Sequence, residues 1–150
     1  MIAAPPPVYP WPIGVGPRYH PTANRPEAAL RCGPLGTRYR VHLELFADRR
    51  VVVVPAGIGG CDAPLRTTAP TGVVEVSGRR TLGDLFAVWG RRLGRNGFLT
   101  FRGRVAAFVN GRRATGDPRR IALRPRDEIV LEVGGYVAPH RDYLFPRGDR

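Results

Sequence analysis

Two cysteines, three histidines and a single serine are the side chains from which nucleophilic, redox or metal chemistry could start in this chain. Cys32 and Cys61 stand in no C-x-x-C arrangement, which argues against a thioredoxin-type site or a zinc knuckle. A cysteine pair in a small chain fits one disulfide; the alternative is two free, partly buried thiols. Joined, the pair would tie the segment before the first strand to the loop after the second. Such a bond stabilises by ~2–4 kcal/mol and implies an oxidising compartment. Left free, Cys61 with His42 or His140 could form a thiol–imidazole pair, which a disulfide would exclude. Ser77 ends a strand pattern with no hydrolase motif beside it. The carboxylates Asp127 and Glu128 fall at a turn, where solvated charge is the ordinary reading. Gly57-Ile58-Gly59-Gly60 lacks the Lys-Ser/Thr of a phosphate-binding loop, and no helix follows it directly. No catalytic constellation is complete, so the expectation is a protein that is not an enzyme and carries no cofactor.

The formal charge is +12, and all 24 basic residues are arginine. A chain without lysine reads as the product of a GC-rich, actinobacterial-like genome, which weakens a functional reading of the charge. An arginine-rich chain would still be drawn to nucleic acid or another anionic partner. The five Arg-Arg pairs are scattered over turns and element ends rather than gathered in one run. No RRM, KH, zinc-finger or helix-turn-helix signature accompanies them, so any nucleic-acid binding is expected to be non-specific. No apolar run approaches the ~18–20 residues a membrane span needs. The opening stretch is not expected to be a signal peptide, because prolines break its apolar residues and no basic segment leads it.

These side chains have to be positioned by a small set of elements. Residues 1–30 carry eight prolines and predict an extended, mostly disordered arm, with Tyr9 and Trp11 available to dock. Tyr39–Ala47 alternates, with Tyr39, Val41, Leu43 and Leu45 on one face and Arg40, His42 and Glu44 on the other. That pattern predicts a half-buried strand. Asp48-Arg49-Arg50 turns the chain into Val51–Val54, completing a hairpin. Residues 62–70 read as a loop and 71–77 as a third strand. Thr81 with Asp84 predicts an N-cap and capping box. Leu82, Leu85, Phe86 and Trp89 form one apolar helical stripe, stopping at Gly90 with a further turn possible over 91–93. A strand over 104–110, a tight Asn110-Gly111 turn, a short return over 112–115 and a last strand over 128–133 complete the domain. In the tail, Tyr143, Leu144 and Phe145 are expected to anchor against it.

The order hairpin, strand, helix, strand, turn, strand resembles a β-grasp (ubiquitin-like) fold, and 106–135 is similar in layout to the second half of ubiquitin-like sulfur carriers. Fifteen residues follow Gly134-Gly135, which argues against a carrier. The expected fold class is therefore α+β: a mixed sheet with one main helix on one face, built from residues 31–135, between the arm (1–30) and a tail (136–150).

An ordered set of phrases resembles a family of mostly uncharacterised bacterial proteins, many of them exported. These are VHLELF at 41–46, VPAGIG at 54–59, LRTTAPTGVVEV at 65–76, TLGDLFAVWG at 81–90, FVNG at 108–111, GDPR at 116–119, DEI at 127–129 and YLFPRG at 143–148. The family pattern carries H-x-H in the first phrase, H-T-H-D in the third and a further histidine in the strand that follows. Such clustering would suit copper or zinc. Two cysteines at the positions of Cys32 and Cys61 also recur there. In this chain only His42 remains. Arg40, Arg66 and Thr68 replace histidines, Ala69 replaces the aspartate, and Glu75 replaces the strand histidine. The resemblance therefore implies a degenerate member of an extracytoplasmic family whose histidine pattern suits metal binding. Its metal site is expected to have decayed, with His42 the one weak candidate ligand. If Arg40, His42, Arg66, Thr68 and Glu75 converge, they form a repurposed anion patch; if they point apart, the site is gone. The expected function is a monomeric binding or accessory domain for an unknown protein or anionic ligand. The alternative is a basic polyanion-binding protein.

Overall fold

The strand alternation and the turn chemistry are realised in a computed structural model that describes residues 14–25 and 31–145. Strand β1 (Tyr39–Ala47) follows the alternating segment, and β2 (Arg50–Val52) returns beside it, Ala47 facing Arg50. The two residues between them, Asp48 and Arg49, both have positive φ (52° and 62°). That is the two-residue turn whose twist matches a right-handed hairpin. The same device joins β8 (Ala106–Val109) to β9 (Arg112–Ala114) through Asn110 and Gly111, at 53° and 82°.

Between these hairpins lie β3 (Leu65–Arg66), β4 (Val73–Val76) and α1 (Leu82–Trp89). Thr81 caps α1: its side chain accepts from the Asp84 N–H, and the Asp84 carboxylate accepts from the Thr81 N–H at 2.8 Å. Gly90 ends the helix in the left-handed region at φ 75°. No further helical turn follows; the chain enters β5 (Leu93–Gly94), β6 (Gly97–Phe98) and β7 (Phe101–Arg102), a small three-stranded sheet. A 3-10 turn (Pro118–Arg120) leads to β10 (Glu128–Val133).

The main sheet runs β3-β4-β1-β10-β8-β9, with β2 also paired to β1. Its two central strands, β1 and β10, are parallel, with His42 opposite Glu128; the remaining pairs are antiparallel. The architecture is a mixed sheet with one α-helix, an α+β fold as expected. Leu82, Leu85, Phe86 and Trp89 of α1 pack with Val41, Leu43, Leu45, Ile129 and Leu131 into the principal core. The segment expected to be a loop, 62–70, contains β3, which pairs with β4.

Three further expectations are corrected. The arm was expected to be disordered, yet 14–25 is pinned along β2. Tyr19 exchanges backbone hydrogen bonds with Val51 and Val53, and the Trp89 indole N–H donates to the Thr22 carbonyl at 2.9 Å. Tyr9 and Trp11 lie outside the described residues. Second, β1 is buried on both faces, not half-buried, because the tail crosses the face that carries His42 and Glu44. Third, Tyr143 and Phe145 anchor that tail as expected, but Leu144 points outward, 71% exposed.

Candidate metal centre

The parallel pairing of β1 with β10 brings alternate residues of two central strands onto one face. His42 and Glu44 come from β1 and Glu128 from β10, all three buried. Ligand atoms from these side chains lie within 4.8 Å of one another. The tail adds His140, whose Nδ1 is 2.5 Å from Glu44 Oε1 and 3.8 Å from Glu128 Oε2. Tyr143 covers the group, its ring stacked on His42 at 3.6 Å between centroids and 10° between planes.

Hydrogen-bond roles fix the protonation of His42. Its Nε2 lies 2.8 Å from the Thr71 carbonyl, which can only accept, so Nε2 carries a hydrogen. Burial holds His42 down at about 4, so the ring is neutral and Nδ1 offers a lone pair. Glu128 Oε1, 2.6 Å from that lone pair, must supply the hydrogen between them. Burial first, and then the facing Glu44 carboxylate, push Glu128 up to about 12, in keeping with a neutral acid. Burial also acts to raise Glu44, but the hydrogen bond from His140 and the neighbouring Glu128 outweigh it and hold Glu44 ionised. The same bond raises His140, so that pair is an imidazolium donating to a carboxylate. Across the four groups the charge sums to zero.

A metal would find two imidazole nitrogens and two carboxylates here, a donor set suited to zinc or copper(II). The His42 Nε2–H···Thr71 bond is the outer contact that orients a ligating imidazole and aims its other nitrogen inward. Glu44 Oε2 and Glu128 Oε2 accept from no N–H or hydroxyl among the described residues, and the two carboxyls contact each other. A buried carboxyl pair of that kind needs a proton or a cation between its oxygens. Tetrahedral bonds of about 2.0–2.2 Å separate donors by roughly 3.3–3.6 Å, within the spread of the His42, Glu44 and Glu128 ligand atoms. Those three residues fit such an ion, and His140 reaches the group from the tail at Glu44 and Glu128.

The five positions singled out from the sequence divide between two networks. Glu75 on β4 stands between Arg66 on β3 and Arg40 on β1, opposite both. Arg66 Nε donates to Glu75 Oε1 at 2.6 Å and Arg40 NH2 to Glu75 Oε2 at 3.2 Å. Arg66 and Arg38 both donate to the Cys61 carbonyl, at 2.6 and 3.1 Å. Cys61 is joined to Cys32 by a disulfide, with Cα atoms 5.2 Å apart. Arg40, Arg66 and Glu75 thus converge on one another, and the shared carboxylate occupies the place an anion would take. His42 belongs to the other network. Thr68 is half-buried and joins neither among the described residues; its neighbour Thr67 is the buried one, donating to the Pro55 carbonyl at 2.7 Å.

Sequence reasoning did not bring Glu44, Glu128 and His140 to this site, and the expectation of solvated turn charge at Asp127 and Glu128 is corrected: both are buried, Glu128 as the first residue of β10. Glu44 carried a signal: it shares the strand face of His42 at a spacing of two. Glu128 and His140 carried none, since their approach depends on the parallel register and the path of the tail.

No protein-family model, curated protein or solved structure matches the chain.

Proposed function

We propose that this protein is a metal-binding accessory domain holding one divalent ion of the zinc or copper type through His42, Glu44, Glu128 and His140. The observation that carries the reading is the buried convergence of His42, Glu44 and Glu128, with the His42 lone pair aimed inward by Thr71 and the half-buried His140 brought against Glu44 by the tail. Four protein donors leave no open coordination position, which favours holding an ion over catalysis on it. The parallel central pair and single helix support a β-grasp-like reading of the fold. The Cys32–Cys61 bond supports an extracytoplasmic setting. Metal-stripped protein should take up one equivalent of zinc or copper(II) by elemental analysis after gel filtration. His42→Ala should abolish uptake. Wild-type protein that retains no stoichiometric metal contradicts the reading and leaves the cluster as a hydrogen-bonded lock on the tail.

A further inference from the structure

The four donors are not held alike. His42, Glu44 and Glu128 stand on β1 and β10, adjacent strands at the centre of the sheet. His140 stands on 136–145, a segment without helix or strand. That segment makes no backbone–backbone hydrogen bond among the described residues. Side chains and a mixed bond hold it, His140 on Glu44 among them. The Val137 N–H donates to Glu132 Oε1 at 3.1 Å, and Val137 packs with Phe46, Val51, Phe108 and Val130. Farther along, Tyr143 lies flat on His42, Phe145 meets Tyr143 edge-on at 5.0 Å, and the Arg126 guanidinium sits 5.1 Å over Phe145. The segment leaves β10 through Gly134 and Gly135, at φ 76° and 134°, conformations that glycine alone adopts freely.

Resting on the metal reading above, we infer that 136–145 is a hinged strap that gates the site. It pivots at Gly134-Gly135, supplies His140 as the one removable donor, and covers the ion with Tyr143. Lifting the strap leaves three donors on a rigid floor and opens the ion to solvent or to an acceptor. Closing it completes the coordination and seals the site. Metal binding and strap closure then favour each other, since each is stronger when the other is in place. The strap's retention by side chains rather than by a backbone ladder places it at the low-stability end of the fold, where local opening occurs.

Hydrogen exchange of the full chain, with and without zinc, tests the coupling directly. Amides of 136–145 should exchange about tenfold more slowly with zinc bound, a typical size for such coupling, while those of β1 and β10 change little. Transfer of zinc to a chromogenic chelator supplies the kinetic arm. Tyr143→Ala and Phe145→Ala should still bind one zinc but release it about tenfold faster, whereas Leu144→Ala, altering an outward side chain of the same strap, should release it at the wild-type rate. Stoichiometric zinc binding with unchanged exchange at 136–145 and wild-type release from both aromatic variants would overturn the gate and leave the metal site standing. Absence of zinc binding by the wild type overturns both.

Discussion

At the scale of single residues, the behaviour of His42 and Glu128 follows from one carbonyl. Thr71 can only accept, so the hydrogen of a neutral His42 is on Nε2 and the hydrogen between His42 and Glu128 belongs to the acid. The metal-free protein therefore keeps a carboxylic acid protonated in its interior, and this fixes a pH dependence. Glu128 is raised from its ordinary value to about 12, so across the range between, the folded chain binds a proton that the unfolded chain has lost. Stability from this group is full below the unfolded value and falls as pH rises. His42, depressed to about 4, acts oppositely: its contribution is full above about 6.5 and declines as pH falls toward 4. Between about 4.5 and 6.5 the two offset each other, and above that range Glu128 acts without His42. The thermal midpoint of metal-free protein is thus expected to fall from pH 6.5 to 9, with His140, raised by its bond to Glu44, acting in the same sense, and Glu128→Gln, whose amide can still donate to His42 Nδ1, is expected to lessen that fall. A midpoint independent of pH in the wild type would refute the neutral acid.

At the scale of elements, local chemistry and long-range register divide what can be read in advance. The capping box of Thr81 and Asp84, the Gly90 stop and the Asn110-Gly111 turn depend on residues within four positions of one another, and all were legible. The bounds of β1 were legible as well, because its alternation is strong. The burial of its second face was not, since that depends on a tail about a hundred residues away. The sheet of β5, β6 and β7 went unseen because two-residue strands carry no periodic signal. For the site, His42 was legible as a ligand type, but its partners arrive through the parallel β1–β10 pairing, which no local pattern encodes. The cap offers a direct check: Thr81→Ala removes the acceptor for the Asp84 N–H and should destabilise by about 1 kcal/mol in chemical denaturation, with the metal site unaffected. No change would mean that the cap adds nothing to packing of the apolar stripe.

At the scale of the whole molecule, the disulfide and the arginine network act on one edge of the sheet. Cys32 and Cys61 are 29 positions apart, and the Cys61 carbonyl accepts from both Arg38 and Arg66. The bond restrains the segment leading into β1 and the loop leading into β3. Cys32→Ser with Cys61→Ser is expected to lower stability by about 2–4 kcal/mol, measured by urea unfolding at fixed pH. A double variant as stable as the wild type would show that Arg38 and Arg66 secure this edge without it. The net charge of +12 belongs to the same scale, and two of the arginines, Arg40 and Arg66, share the single Glu75 carboxylate in the sheet.

The central claim is that the four-residue cluster exchanges protons for one divalent ion. The metal-free cluster is neutral, with hydrogens on Glu128 and on His140 Nδ1 at the positions a metal would contact. Two carboxylates and two neutral imidazoles would balance a dication once both hydrogens leave. Calorimetric titration of zinc into metal-free protein near pH 6.5, repeated in buffers of different ionisation enthalpy, measures the ions bound and the protons released together. One zinc bound with release of about two protons is the predicted result. No binding, or binding that persists unchanged in Glu128→Gln and His140→Ala, would contradict it.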